Sequence, residues 1–179
     1  HDIIFPMFEF EMPGDIVDLK AMEYELVDYL GFDRPIEKTY EAWQKHYNVE
    51  GALEAEHETA MFNDFSTAMI TDFPEFTSPF WNMSRYEDGI HSKKIDVILG
   101  GMETIGSAER SCDVEMMRDT FHTITDGAYS NLLFELFGKD RVVAELEEFL
   151  KFDFFPRVGG GIGMTRMIAA LDTQMPLAA

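Results

Sequence analysis

The 179-residue sequence predicts an α+β domain built on a mostly antiparallel sheet. Strand-like pieces are separated by helical ones, aromatic residues crowd the strand-like pieces, and Gly or Pro punctuates their ends. A hydrophobic content of 46% is enough for a substantial core, so a single domain over residues 1–179 is expected.

The first strand is expected over Ile3 to Met12, dense in apolar and aromatic residues and ended by Pro13 and Gly14. Glu9 and Glu11 share one of its faces by the two-residue period. Asp15 can cap the next segment, where Ile16, Leu19, Met22, Leu26, Val27 and Leu30 return at helical spacing until Gly31 stops it. Glu37 to Tyr47 and Leu53 to Phe65 are expected helices whose Glu-rich faces are solvated. Ala68 to Thr71 and Trp81 to Met83 read as short strands, and Lys94 to Leu99 as a longer one ending at Gly100 and Gly101. Asp113 to Thr123, Ser130 to Phe137 and Asp140 to Phe149 read as helices.

Near the C-terminus, Gly159, Gly160, Gly161 and Gly163 precede Met164, Thr165 and Arg166. Four glycines so close together are entropically costly unless close approach or unusual backbone angles are needed. Two readings stand side by side. The run is either bare backbone that lies against a flat or phosphorylated ligand with Arg166 beside it, or a tight turn into the last helix with Arg166 solvated.

Lys and Arg total 14 against 34 Asp and Glu, a formal net charge of -20. That balance opposes attraction to nucleic acid or anionic membrane, while a small anionic substrate needs only one or two local cations. The single cysteine, Cys112, permits no intrachain disulfide and is expected to be a buried or half-buried thiol in a reducing compartment. With no apolar stretch near 18 residues and no basic-plus-apolar leader, a soluble cytoplasmic protein is expected. The chain opens on His1 within a strand-like run, so a processed or truncated protein is also expected.

Four places together point to chemistry: Glu9 and Glu11 on a strand, Glu103 after two glycines, Arg110 further along, and Arg166 after the glycine run. Arginines neutralise phosphate or carboxylate oxygens, and a carboxylate holds Mg²⁺ against phosphates. Nucleotide activation needs this mixture. Each residue alone would pass for an ordinary surface charge.

Three segments also resemble the class II aminoacyl-tRNA synthetases of the aspartate, asparagine and lysine subgroup, in family order. His1 to Met12 is similar to the second half of motif 2, Gly101 to Arg110 to the substrate-binding strand and turn, and Val158 to Arg166 to motif 3. Within that group, Asp72 to Met83 is most similar to archaeal asparagine synthetases, relatives of asparaginyl-tRNA synthetase without an anticodon-binding domain. The resemblance implies a class II catalytic domain whose N-terminal part precedes His1, including a motif 2 arginine and the motif 1 helix of a family homodimer.

By the same resemblance Phe5 stacks on adenine, Glu103 holds ATP-bound Mg²⁺, and Arg166 lies on the γ-phosphate side, with Gly161 and Gly163 beneath the nucleotide. Glu9 contacts the substrate ammonium and Arg110 grips the aspartate side-chain carboxylate. Gly106 falls in the substrate-binding strand where an aspartyl enzyme commonly has serine; Arg157 replaces a frequent histidine and Ile4 a usual glutamate. The implied reaction is ATP-dependent asparagine formation from aspartate and ammonia through an aspartyl-adenylate, releasing AMP and pyrophosphate, with Glu75 or Glu109 steering ammonium. An aspartyl- or asparaginyl-tRNA synthetase fragment, or a noncatalytic amino-acid- or AMP-binding relative, are the alternatives.

Overall fold

The computed structural model describes residues 5–174. Six strands form one sheet: β1 (Met7–Pro13), β2 (Ile36–Thr39), β3 (Thr67–Pro74), β4 (His91–Leu99), β5 (Met102–Arg110) and β6 (Arg157–Gly163). Their spatial order is β1-β6-β5-β4-β3-β2, antiparallel at every pairing except the parallel β2/β3 edge. The helices are α1 (Ile16–Tyr29), α2 (Tyr40–Tyr47), α3 (Ala55–Phe65), α4 (Val114–Thr123), α5 (Ala128–Phe137), α6 (Lys139–Phe149) and α7 (Met164–Gln174). The expected α+β class and mostly antiparallel sheet are what the chain forms.

Local chemistry fixes the ends of these elements. Asp15 caps α1 by accepting from the backbone N–H groups of Val17 and Asp18, and the Asp18 side chain reciprocates to the Asp15 N–H. Gly31, at φ +83°, turns the chain away after it. Gly100 and Gly101, at φ +60° and +83°, join β4 to β5 in a two-residue hairpin whose twist suits right-handed strands.

The structure differs from expectation in two stretches. Residues 36–39 are a strand, and the helix begins only at Tyr40, because Thr39 caps it through its hydroxyl while Lys20 and Tyr24 of α1 hold the Glu37 carboxylate. Trp81 and Asn82 form a turn and Met83 makes only an isolated antiparallel bridge to Arg110, not a strand. There the Arg85 guanidinium donates to the carbonyls of Pro79, Phe80 and Met83 and to the Glu75 carboxylate, and the Asn82 carbonyl accepts from the Ser111 backbone N–H.

Three apolar clusters divide the molecule. α1 and α7 pack on one face of the sheet around Leu19, Val27, Val97, Ile105 and Met167. α2 and α3 cover part of the other face through Tyr40, Trp43 and Met61 against Ala68, Ile70 and Ile98. α4 to α6 gather separately around Trp81, Met117 and Leu146. Cover from α2 and α3 extends over β2, β3 and β4 and, through α3, reaches the start of β5, which leaves β1, β6 and the rest of β5 open on that face.

Cys112 is exposed, contrary to expectation, since its neighbour Ser111 takes the inward position in the link from β5 to α4. No helix among the described residues is long and apolar enough to cross a membrane.

One acid on α1 lies on the buried face. Glu23 is fully buried, accepts from the Ser107 hydroxyl at 2.5 Å, and has its other oxygen without a hydrogen-bond partner. Burial pushes its carboxyl up to about 8; the Ser107 bond opposes that shift, Asp96 adds to it, and Lys20 opposes it. The folded chain therefore binds this proton more tightly than the unfolded one, so between about pH 4.5 and 8 rising pH costs stability. Glu23→Gln keeps a hydrogen-bonding group without the charge. Urea midpoints of the two proteins should diverge in favour of the variant across that window, by up to about 1.4 kcal/mol per pH unit, and a pH-independent difference would refute the assignment.

Candidate functional site

The open part of the sheet is a trough with a bare floor. In register, Glu9, Gly161, Gly106 and Asp96 form one row across β1, β6, β5 and β4, and Glu11, Gly159, Ala108 and Lys94 form the next. Residues paired this way share a face, so Gly159, Gly161, Gly163, Gly106 and Ala108 all turn toward the trough. Charged side chains rise on either side, about 14 Å apart from β1 to β4 at the usual strand spacing.

This arrangement corrects one reading of the glycine run. It is a strand, not a turn, and none of Gly159 to Gly163 has a positive φ. Close approach is what requires glycine here. A Cβ on Gly160 would meet Ser107 Cβ at 2.6 Å on the helix-covered face, while one on Gly161 would enter the trough and touch only the Met7 side chain, with its sulfur at 2.6 Å.

Two adjoining cavities occupy the trough. The larger, about 630 Å³, has Phe5 and Met7 at its β1 side, Gly106, Gly161 and Gly163 beneath, and Glu103 and Arg166 at its end. The smaller, about 360 Å³, is bordered by Glu9, Glu11 and Arg110 and shares Met7, Gly106 and Gly161 with the first. Apart from Gly106 and Gly161, which line both, the residues expected to meet a nucleotide lie in the larger cavity and those expected to meet an amino acid in the smaller. Ile4 lies outside the described residues.

α7 follows β6 directly, so its first turn opens on the larger cavity through Thr165 and Arg166. A helix N-terminus favours anions, and Arg166 adds a full charge. Its guanidinium donates to the Glu103 carbonyl at 2.5 Å and lies 3.8 Å from the Glu103 carboxylate. At the opposite end Arg110 and Arg157 both reach the Glu11 carboxylate, at 3.6 and 3.2 Å.

Asp96 and Glu58 belong to this site and sequence reasoning missed both. Asp96 interrupts the apolar run Ile95 to Leu99, which was the available signal. Its carboxylate pairs with Lys94 through one oxygen, and the other is buried without a hydrogen-bond partner. Burial, partly offset by Lys94, raises it to about 7. Glu58 of α3 accepts from the Glu103 backbone N–H at 2.8 Å, and burial raises its pKa too, opposed by that hydrogen bond and aided by the negative Glu103 carboxylate. On the expected solvated face of α3, Glu58 was indistinguishable from its neighbours.

Mg²⁺ fits this end of the trough. The unpartnered Asp96 oxygen and a Glu103 carboxylate oxygen both lie within 3.5 Å of the point where a Cβ on Gly106 would stand. No group of three His, Cys, Asp or Glu among the described residues is placed as a complete cage. Mg²⁺ takes one or two carboxylates and completes its shell with water and phosphate oxygens.

Neither Glu75 nor Glu109 is placed to steer ammonium. Glu75 is bonded to Arg85, and Glu109 to Lys93 and the Ile16 backbone N–H on the other face of β5. The segment 72–83 lines neither cavity.

The sequence pattern of the family described as tRNA synthetases class II (D, K and N) matches residues 16–175. The chain belongs to this family. No curated protein matches it significantly. Among solved structures of class II enzymes, asparaginyl-tRNA synthetase from Pyrococcus horikoshii complexed with asparaginyl-adenylate is similar at a TM-score of 0.72 and 17% identity, over 93% of this chain and 44% of that one. Aspartyl-tRNA synthetase from Entamoeba histolytica gives 0.70 and 17%, over 94% and 41%. Asparaginyl-tRNA synthetase from the same organism, with asparaginyl-adenylate, gives 0.71 and 16%, over 93% and 44%. At these identities the likeness is one of fold, and the chain spans less than half of each structure.

Proposed function

We propose that the trough activates aspartate with ATP and that ammonia then converts the adenylate to asparagine. The observation that carries this reading is the meeting of two chemically different cavities over Gly106 and Gly161. An aromatic ring and an arginine-bearing helix end suit a nucleotide triphosphate, and paired acids with arginines suit a dicarboxylic amino acid.

In this reading Phe5 faces adenine, Arg166 and the α7 N-terminus meet the phosphates, Glu9 receives the ammonium group, and Arg110 holds the α-carboxylate rather than the side-chain carboxylate the resemblance implies, because asparagine formation requires the side-chain carboxylate to react. The reacting carboxylate oxygen then approaches the α-phosphorus where the cavities join. A new P–O bond forms as the bond to pyrophosphate breaks. Ammonia adds to the acyl carbon, the bond to AMP breaks, and the nitrogen releases a proton to give the amide. Asp96 and Glu103 would hold Mg²⁺, which when bound offsets phosphate charge. The chain supplies positioning and fixed charge, and no side-chain nucleophile is required.

A second reading, tRNA charging through an adenylate formed on the α-carboxylate instead of the side chain, is favoured by the similar solved structures, which are named as tRNA synthetases. The net charge of -20 favours the first, since it repels a polyanion. Protein incubated with ATP, Mg²⁺, aspartate and ammonia should release AMP and asparagine in equal amounts. Amide no higher than in the protein-free control rejects asparagine formation, and transfer of aspartate to tRNA in its place selects the second reading.

A further inference from the structure

Arg110 and Arg157 stand directly opposite each other on β5 and β6. Like charges at such a pair repel, and the cost grows when both are shielded from water. The Arg110 and Arg157 side chains are only 21% and 12% exposed, and burial, with Arg157 as a further contributor, lowers the Arg110 pKa. Both nonetheless turn to one oxygen of Glu11, whose own side chain is 54% exposed on edge strand β1. Two guanidiniums thus share one carboxylate that has room to leave, at the border of the smaller cavity, in a chain otherwise rich in acid.

A site meant only for structural neutrality would pair these charges one to one. Arg157 also lies 5.0 Å over the Phe154 ring, which limits its swing, and it meets Glu11 through Nε while its Nη1 lies 3.5 Å from the Ser111 and Phe155 carbonyls. Glu9, the next acid on the same face of β1, remains available for a cation.

We propose that Arg157 is a second carboxylate-binding residue of the amino-acid cavity, and that Glu11 is a resident stand-in for the ligand carboxylate that the two arginines grip together. The site is thereby specific for amino acids carrying a second carboxylate. This rests on the aspartate reading above, and it assigns work to two residues that reading leaves idle.

Calorimetric titration of aspartate, asparagine and ATP into the protein and its variants tests it. Arg157→Ala should weaken aspartate at least tenfold and leave ATP within twofold. Arg157→Lys, which keeps the charge but not the fork, should fall between. Glu11→Gln should bind aspartate as tightly as the parent or a few-fold more tightly, because the competing anion is gone; a purely structural Glu11 would instead give weaker binding and a lower melting temperature. The proposal is overturned by unchanged aspartate affinity in both Arg157 variants, or by weakened affinity in Glu11→Gln. If the parent protein itself binds ATP but neither aspartate nor asparagine, the aspartate reading fails along with it, an outcome separate from an unaffected variant.

Discussion

Valine at Gly160 should lower the stability of the fold by about 3 kcal/mol, whereas valine at the adjacent Gly161 should leave it nearly unchanged and abolish ligand binding. The two positions face opposite sides of β6. A Cβ at Gly160 would lie 2.6 Å from Ser107 Cβ and 2.7 Å from the Gly106 carbonyl oxygen, both fixed by the β5 ladder. Only a shift of one strand against the other would relieve it. For a chain of this size the loss amounts to about 6–12 °C in melting temperature. A Cβ at Gly161 meets only the Met7 side chain, which has several rotatable bonds. The added methyl groups would instead fill the floor shared by both cavities. Thermal unfolding and nucleotide titration of the two variants separate these effects, and equal destabilisation by both would contradict the assignment of faces.

Arg166→Ala should reduce aspartate-dependent exchange of pyrophosphate into ATP by about 10²–10³-fold, the usual cost of losing one preorganised charge partner in a transition state. The native guanidinium is already held by the Glu103 carbonyl, so little ordering remains for the moment of reaction. Half-exposed and outside the three apolar clusters, it contributes little to folding. Melting within a few degrees of the parent, with activity lost, is the expected pattern. Loss of less than tenfold would place the phosphates elsewhere.

Much of the fold was legible because local signals and tertiary packing agree. The Asp15 cap, the Gly31 stop and the Gly100–Gly101 hairpin each announce a boundary through backbone chemistry. Where long-range contacts decide, sequence fell short: residues 36–39 are drawn into the sheet by β3 and by α1 side chains, and residues 81–83 are organised by Arg85. The site divides in the same way. Phe5, Glu9, Glu103, Arg110 and Arg166 lie within three short segments and could be picked out together, and the fold brings all five to one trough. Asp96, Glu58 and the Arg157–Glu11 contact depend on strand register and on which helix covers which strand. The glycine run shows the limit most clearly, since its composition suited a turn or a bare floor, and only pairing with both β1 and β5 fixed it as the floor.

Pyrophosphate exchange reads the first chemical step alone, without depending on the later acceptor. Exchange should require aspartate and Mg²⁺, need neither ammonia nor tRNA, and be largely lost in Arg166→Ala and Gly161→Val. Absence of exchange with aspartate, or exchange that survives both substitutions, would contradict aspartate activation in the trough.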